Sequence, residues 1–178
     1  EFLPVSSSGH LVLASSLYKV ATGKTLVSGG SQEIFLDIML HLGTLVAVII
    51  YFKNDIKNLF SVFIESIRNG TIKTNEEAKI PLYIAVATLA TIAVVLPFKD
   101  YFVADMQRPA VVGIQIMITG ILIYATEFLS AKIINKTPNI GWIKALLIGI
   151  AQGIAVSPGI SRSGSTIAAG LAMGIDRV

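Results

Sequence analysis

Apolar residues of this chain gather in long runs, and polar residues are concentrated in segments between them. Three runs are long enough to cross the hydrocarbon core of a bilayer as helices, which takes about 20 residues, and two are too short. The long runs lie at 34–52, 80–98 and 110–129, and the short ones at 11–20 and 142–156. The pattern predicts three membrane-spanning helices, together with short helices that enter the membrane without crossing it.

Two pairs of glycines lead to opposite predictions about packing. Gly149 and Gly153 interrupt a short apolar run that stops at Pro158, so we expect a broken helix there. Gly113 and Gly120 lie within the third long run, where small residues let two helices approach closely. We therefore expect close helix packing at these two glycines.

The composition identifies the class of protein. Of the 178 residues, 53% are hydrophobic and only 14% are charged, against about a quarter charged in a soluble domain. A net charge of +3 without basic and aromatic residues interleaved argues against a nucleic-acid partner. Because cysteine is absent, disulfides, thiolate metal sites and cysteine nucleophiles are excluded. We predict an all-α fold, a polytopic membrane helix bundle in contact with membrane lipids.

The chain reads as a single membrane domain over 1–178. It begins at Glu1 without a methionine and ends at Val178, just after a new apolar stretch. We expect it to be the major part of a longer membrane protein, truncated at both ends.

The distribution of positive charges predicts an orientation. The links 53–79 and 130–141, with Lys144, hold eight of the fourteen Lys and Arg, whereas the link 99–109 holds two. Links rich in positive charge lie on the cytoplasmic side. Three alternating spans then place 1–33 and the segment after 156 on the outer side. Within 53–79, an amphipathic helix on the membrane surface is expected at 60–67.

The segment 158–166 carries the strongest chemical signal. Its sequence, Pro-Gly-Ile-Ser-Arg-Ser-Gly-Ser-Thr, places Arg162 and four hydroxyls next to an apolar run. A buried arginine is costly in a membrane unless an anion meets it, and hydroxyls, backbone N–H groups and a guanidinium together suit a phosphate. A helix expected to begin near Gly164 would add its N-terminal N–H groups. The alternative is an arginine that reaches the interface from a helix end.

A second copy of this motif stands near the start of the chain, at 4–10. Ser6-Ser7-Ser8-Gly9-His10 and the later segment both read Ser-x-Ser-Gly-polar, each with a proline shortly before. An odd number of spans separates the copies, so the second copy should be inverted relative to the first. We predict two inverted repeats, about 1–98 and 99–178 and beyond. Each repeat should contain a re-entrant broken-helix loop, and the two loops should meet at a shared site. For the three serines alone, capping of a helix is the alternative.

Other polar residues add candidates for chemistry. Glu1, Ser7 and His10 supply a base, a nucleophile and a proton donor within ten residues; for His10 the alternative is a surface or core histidine. His41 lies four residues after Asp37, on one helical face. A hydrogen bond within the bundle and a role in the site are both open for His41.

These motifs are recognisable as those of a known family. The segments 1–10 and 158–166 closely resemble the two signature segments of the undecaprenyl-diphosphate phosphatase family, the bacitracin-resistance proteins. The segment 35–48, with its His-Leu-Gly-Thr, is similar to that family's first long helix. The resemblance covers the chain nearly end to end, and the family's further helices would follow Val178.

The resemblance implies a function. Family members are hydrolases that remove the terminal phosphate of undecaprenyl diphosphate and return the carrier lipid to cell-wall synthesis, which gives bacitracin resistance. They need a divalent cation, typically Mg²⁺ or Ca²⁺. The implied partner is a polyprenyl diphosphate lipid, and the implied location is the bacterial cell membrane, with the active site on the outer side. A homodimer stays open as the oligomeric state.

The resemblance also implies roles for residues. Glu1 matches the second glutamate of the family's Glu-x-x-x-Glu motif, a metal ligand and catalytic group, and the first glutamate would lie four residues ahead of it. Ser7 and His10 match the catalytic serine and histidine of the first loop, and Arg162 the arginine of the second. Either Ser7 or His10 is the nucleophile. The expected phosphate-binding residues are Ser6, Ser8, Ser161, Ser163, Gly164 and Thr166.

A second class of function fits the same pattern. Secondary transporters are also built from inverted repeats with broken helices, so a carrier that moves polyprenyl phosphate or another anion is the alternative. Such a carrier needs Arg162 and the binding hydroxyls but no nucleophile. A structural membrane subunit is a third reading, and it leaves the matching loops without an explanation.

Overall fold

The computed structural model describes residues 3–23, 31–106, 108–131 and 137–176, without the side chains of 31–34, 36, 37 and 103–106. In these residues the prediction of an all-α fold is confirmed, since they form seven α-helices and no strand beyond one isolated bridge between Thr137 and Ile175. The helices are α1 (Ser7–Ala21), α2 (Ser31–Tyr51), α3 (Lys53–Arg68), α4 (Ile80–Met106), α5 (Pro109–Ser130), α6 (Gly141–Ile154) and α7 (Arg162–Ala172), and a 3₁₀ turn at Glu77–Lys79 precedes α4.

Two described helices are long and apolar enough to cross a membrane, and a bent pair brings the number to three if it forms one span. The two are Glu77–Phe102 and Pro109–Ser130, which agree with the second and third predicted spans. In the bent pair, Ile38–Tyr51 meets Lys53–Arg68 at 68°. By their length and composition, these helices indicate a multi-pass membrane protein.

Helix α4 is longer than the apolar run that predicted it. The expected link over 99–109 is wrong for its first part, because the helix continues through Pro97 to Met106. Its 27 residues span about 40 Å at 1.5 Å per residue, more than the hydrocarbon thickness of about 30 Å. Polar residues such as Lys99 and Asp100 mark where the membrane ends, whereas a helix can continue into water beyond that point.

Helix α6 packs along α4 through its glycines. The expected break in this helix is wrong, because Gly141–Ile154 is continuous. A Cβ added at Gly149 would lie 2.2 Å from the carbonyl oxygen of Ala87, and one at Gly153 would lie 2.7 Å from Cβ of Val94. The two glycines therefore permit close contact between helices instead of interrupting one. Apart from the adjoining backbone of α5, no described atom lies within 4 Å of a Cβ added at Gly113 or at Gly120, so among the described residues the close packing expected there is wrong.

The N-terminal ends of α1 and α7 meet against α5. Both helices contact α5, and α7 also contacts α6. Most of the segment between α6 and α7 is buried, and the backbone of Pro158 lies beside Gly9 of α1. The two segments that contain the candidate site residues are distant in the sequence and are in this way brought together.

Candidate active site

The two Ser-x-Ser-Gly segments begin their helices in the same way. Ser6 precedes α1, and its Oγ accepts a hydrogen bond from the N–H of Gly9 at 3.3 Å. Ser161 precedes α7, and its Oγ accepts from the N–H of Gly164 at 3.0 Å. Capping, the alternative for the first serines, is therefore confirmed for Ser6. Helix α7 begins at Arg162, two residues before Gly164, where we expected its start, and α1 begins at the equivalent position, two residues before Gly9.

The two caps differ in their backbone. Ser6 has φ 58° and ψ 80°, in the left-handed region, and it is the one non-glycine residue of the described chain with positive φ. Ser161 is extended, at φ −74°. A left-handed serine costs free energy, and such strain is common where a site demands a particular geometry. The first loop is the strained member of the pair.

Reciprocal hydrogen bonds join the two loops. Ser8 Oγ donates to the carbonyl oxygen of Pro158 at 3.0 Å, and Ser163 Oγ donates to that of Leu3 at 3.3 Å. When the motifs are aligned on their serines, the two acceptors occupy the same position. Leu3 lies five residues before Ser8, and Pro158 lies five residues before Ser163. Ser6 Oγ donates to the carbonyl of Pro158 as well, at 2.6 Å. The bonds of Ser8 and Ser163 are therefore equivalent, one from each loop, and the bond of Ser6 is an additional contact from the first loop.

A small pocket of about 20 Å³ lies between the loops. Ser7 and Arg162, the middle residues of the two motifs, both line it. The other residues that line it are Leu3, Ser6, Ser8, Ile160, Ser161 and Ser163. The structure thus brings together six of the ten residues that the sequence assigned to the site.

His10 lies beside this pocket and not in it. Its Nδ1 is 2.8 Å from the carbonyl oxygen of Ser6, and its exposed side chain lines a second pocket of about 550 Å³. When Nδ1 carries the proton and donates to this carbonyl, Nε2 is left as an acceptor. The residues that line this pocket are Pro4, Val5, His10, Ile116, Thr119, Gly120, Ile123, Tyr124 and Glu127.

The remaining assigned residues have other positions. Gly164 is buried in the first turn of α7, and Thr166 Oγ1 donates to the carbonyl oxygens of Arg162 and Ser163 at 3.1 Å each, within its own helix. Neither residue lines the small pocket. Glu1 lies outside the described residues.

Arg162 meets a residue of another helix. Its Nη2 lies 3.4 Å from Nε2 of His41, which belongs to α2. The structure thus gives His41 a polar contact with a site residue. No salt bridge joins Arg162 to a carboxylate in the part of the chain that the structure describes.

Two side chains of α5 hold the second loop, and the sequence analysis missed both. Thr119 Oγ1 donates to the carbonyl of Gly159 at 3.2 Å and accepts from the N–H of Ser161 at 3.1 Å. Gln115 Oε1 accepts from the N–H of Gly159 at 3.1 Å, and its Nε2 donates to Oγ of Ser157 at 2.7 Å. Two polar residues four apart in an apolar helix lie on one face, and that spacing was the available signal.

The metal prediction depends on a residue that the structure does not describe. Magnesium and calcium take oxygen ligands, above all carboxylates. The described residues include no group of three or more His, Asp or Glu side chains that could hold a metal ion. The hydroxyls and guanidinium of the small pocket do not by themselves fit a hard cation, so Glu1 is the carboxylate on which such a site would be built.

Comparisons with known proteins agree with the resemblance of the motifs. The family described as bacitracin resistance protein BacA matches residues 1–178. The chain is 35% identical over 182 aligned positions to a protein named undecaprenyl-diphosphatase from Alkaliphilus metalliredigens (strain QYMF). The alignment covers 99% of this chain and 63% of the relative, so the chain spans a little under two thirds of the relative's length.

Proposed function

The chain belongs to the bacitracin resistance protein BacA family, and from this premise we propose that it takes part in removing the terminal phosphate of undecaprenyl diphosphate. The product, undecaprenyl phosphate, would return to cell-wall synthesis as a lipid carrier, and its recycling would give bacitracin resistance. The activity is that of a hydrolase acting on a phosphoric anhydride. The name of the relative, undecaprenyl-diphosphatase, supports this substrate.

The observation that carries the proposal is that Ser7 and Arg162 line one pocket at the N-termini of two helices. The hydroxyl of Ser7 and the positive charge of Arg162 thus share one pocket. Helix N-termini carry partial positive charge and free N–H groups, and both favour a phosphate. Phosphoryl transfer is accelerated mainly by such positioning and electrostatic stabilisation.

In the proposed reaction, Ser7 Oγ bonds to the terminal phosphorus while the bond from this phosphorus to the bridging oxygen breaks. The bridging oxygen leaves with undecaprenyl phosphate, and the hydroxyl proton passes to Glu1 or to Nε2 of His10. Water then attacks the phosphoserine, which releases phosphate and restores Ser7. Attack by His10 in place of Ser7 is the alternative. Arg162 contacts the oxygens that gain charge.

A divalent cation, Mg²⁺ or Ca²⁺, would be held by Glu1 and would neutralise charge on the diphosphate when bound. The first glutamate of the family's pair would complete the carboxylate set.

The hydrogen bonds of the loops suggest a division of work among the serines. Ser6, Ser8 and Ser163 each donate their one hydroxyl proton to a backbone carbonyl. We assign to them the joining of the loops, because a hydroxyl that donates its proton to a carbonyl cannot at the same time donate it to a phosphate oxygen. We assign direct recognition of the phosphate to Ser7 and Arg162, the middle residues of the two motifs, which line the same pocket.

The architecture and orientation belong to the same proposal. The reciprocal bonds between loops at opposite ends of the chain support two inverted repeats, about 1–98 and 99–178 and beyond, with re-entrant loops at their junction. The excess of Lys and Arg in the links 53–79 and 130–141 supports a site open to the outer side of the bacterial cell membrane. The mostly apolar pocket beside His10 suits the first part of a polyprenyl chain.

The test is release of phosphate from undecaprenyl diphosphate by the purified full-length protein in detergent, with Mg²⁺, with Ca²⁺ and with a chelator. Ser7→Ala and Arg162→Ala are expected to lower turnover by about 10²-fold or more, the scale of losing a nucleophile or an electrostatic stabiliser. Ser15→Ala is the matched control, because its hydroxyl donates to Val12 within α1.

A carrier of polyprenyl phosphate or another anion is the second candidate, favoured by the same reciprocal arrangement of loops. A carrier requires no nucleophile. Translocation of lipid in vesicles that survives Ser7→Ala but not Arg162→Ala, with no release of phosphate by the parent protein, would favour the carrier over the hydrolase.

A further inference from the structure

We propose that His41 is a positioning residue for Arg162, and that its uncharged imidazole holds the guanidinium over the site without neutralising it. The inference rests on the proposed role of Arg162 in binding phosphate. Its starting point is the 3.4 Å contact between Nη2 of Arg162 and Nε2 of His41, which joins residues 121 apart in the sequence.

The chemistry of the contact determines the state of the imidazole. A guanidinium has five N–H donors and no acceptor, so in this contact Nε2 must be the acceptor. Nε2 accepts only when it carries no proton, which leaves the proton of a neutral imidazole on Nδ1. The partner of Arg162 is therefore an uncharged group.

An uncharged partner has a consequence that a carboxylate would not have. An Asp or Glu bound to Arg162 would form a salt bridge, and a phosphate would have to compete with that carboxylate for the same donors. An imidazole takes one N–H and leaves both the full positive charge and the other donors for an anion. His41 thus orients the cation and preserves its attraction for phosphate.

The placement of the two residues fits this role. Arg162 is the first residue of α7, its side chain is exposed, and it lines the small pocket. A long flexible side chain in such a position has many rotamers, and fixing one end reduces the number that must be lost when phosphate binds. His41 is half-buried on α2 between the exposed Leu40 and Leu42.

The contact has a purely structural alternative, in which it only packs α2 against α7. The two readings differ in what they require of residue 41. Positioning requires an uncharged acceptor directed at Arg162, whereas packing requires only a side chain of similar size. They also differ in whether the effect of residue 41 depends on the presence of arginine at 162.

The test compares His41→Gln, His41→Phe and His41→Leu in the full-length protein, each with arginine and with lysine at residue 162. Glutamine keeps an uncharged acceptor; phenylalanine keeps a ring without one. Thr44→Val is the matched control on α2: the Thr44 hydroxyl donates to the backbone carbonyls of Leu40 and His41, so its loss perturbs the same turn but leaves the imidazole in place. The readouts are kcat and KM for release of phosphate from undecaprenyl diphosphate, and the elution profile on gel filtration.

With arginine at 162, we expect His41→Phe and His41→Leu to lower kcat/KM by about tenfold or more, since small misplacement of a charged group is costly. His41→Gln should stay within about threefold of the parent. With Arg162→Lys present, the same changes at 41 should cause little further loss, because the guanidinium they position is gone.

Full activity of both His41→Phe and His41→Leu would overturn the inference. So would an equal loss with lysine at 162, or a failure of His41→Gln to restore activity in a well-folded protein. If only one of the His41→Phe and His41→Leu variants folds, that variant is the one compared with His41→Gln. If neither of them folds while His41→Gln and Thr44→Val fold normally, His41 has a role in folding and the inference is wrong. No release by the folded parent protein would instead overturn the proposed function itself.

Discussion

The hydroxyl of Ser163 donates to the carbonyl oxygen of Leu3 at 3.3 Å, although the two residues stand 160 positions apart in the chain. The equivalent bond runs the other way, from Ser8 to Pro158 at 3.0 Å. Together with the bond from Ser6 to Pro158, this pair joins the two loops, whose middle residues are Ser7 and Arg162.

Removing both donors should loosen the loops. We expect Ser8→Ala and Ser163→Ala together to lower the free energy of unfolding by about 1–3 kcal/mol, because each lost bond contributes about 1 kcal/mol and leaves a carbonyl without that donor. Turnover should fall further than the loss of stability accounts for. Thermal unfolding and kinetics of phosphate release measure the two effects.

The threonine variants at residues 8 and 163 provide the control for the joined loops, since threonine retains a hydroxyl donor. They should recover most of the stability and turnover lost in the alanine variants. A double alanine variant with the parent's melting temperature and kinetics would contradict a role of these bonds in the site.

The hydrogen bonds of Thr119 should be required to hold the second loop in its position. Thr119→Val keeps the shape of the side chain but removes a donor to Gly159 and an acceptor for Ser161. We expect a loss of about 1–3 kcal/mol in stability, because buried backbone groups lose their partners, and a fall in turnover. Thermal unfolding and release assays measure both.

Thr126→Val is the matched control for Thr119, since Thr126 is also buried on α5 but donates to Leu122 of the same helix. If the two valine variants behaved alike, Thr119 would have no special part in holding the loop.

The first loop should not tolerate a side chain at Gly9. A Cβ there would lie 2.9 Å from the carbonyl oxygen of Pro158 and 3.0 Å from Cδ1 of Ile116, and the carbonyl cannot move without moving the second loop. We expect Gly9→Ala to destabilise the protein and lower turnover, as judged by thermal unfolding and phosphate release.

Gly113→Ala makes a suitable comparison for Gly9, because a Cβ there meets no described atom within 4 Å apart from the adjoining backbone of α5. In the interior of α5 it should stabilise the protein by about 0.5–1 kcal/mol, the difference in helix propensity. Equal effects of the two substitutions would show that the close approach of the loops is not what requires Gly9.

Much of the fold could be predicted because lipid imposes long apolar runs, and α4 and α5 follow from them directly. The end of α4 could not, since the pattern of polarity locates the membrane surface and not the last hydrogen bond of a helix. The effect of Gly149 could not be predicted either, because a glycine can interrupt a helix or allow a second helix to approach closely. Only the position of Ala87 opposite Gly149 in the folded protein distinguishes the two outcomes.

The candidate site was predictable as far as its motifs repeat. The shared Ser-x-Ser-Gly pattern identified both loops, and their meeting is observed. The destination of each hydroxyl was not predictable, because Ser8 binds a carbonyl 150 positions away. Gln115 and Thr119 lie on one face of an apolar helix, and their spacing indicates that this face has polar partners. The sequence does not show which segment supplies those partners, because they belong to the second loop and not to α5.

The most direct test of Ser7 as the nucleophile is to identify the atom that receives the phosphate. Undecaprenyl diphosphate labelled in its terminal phosphate would be mixed with excess full-length enzyme, quenched in acid within one turnover, and the adduct mapped by mass spectrometry. We expect label on Ser7, formed in the parent and in Ser15→Ala and absent in Ser7→Ala. Label on His10 would make histidine the nucleophile, and turnover without any adduct, undiminished in Ser7→Ala, would contradict the central role given to Ser7 and favour direct attack by water.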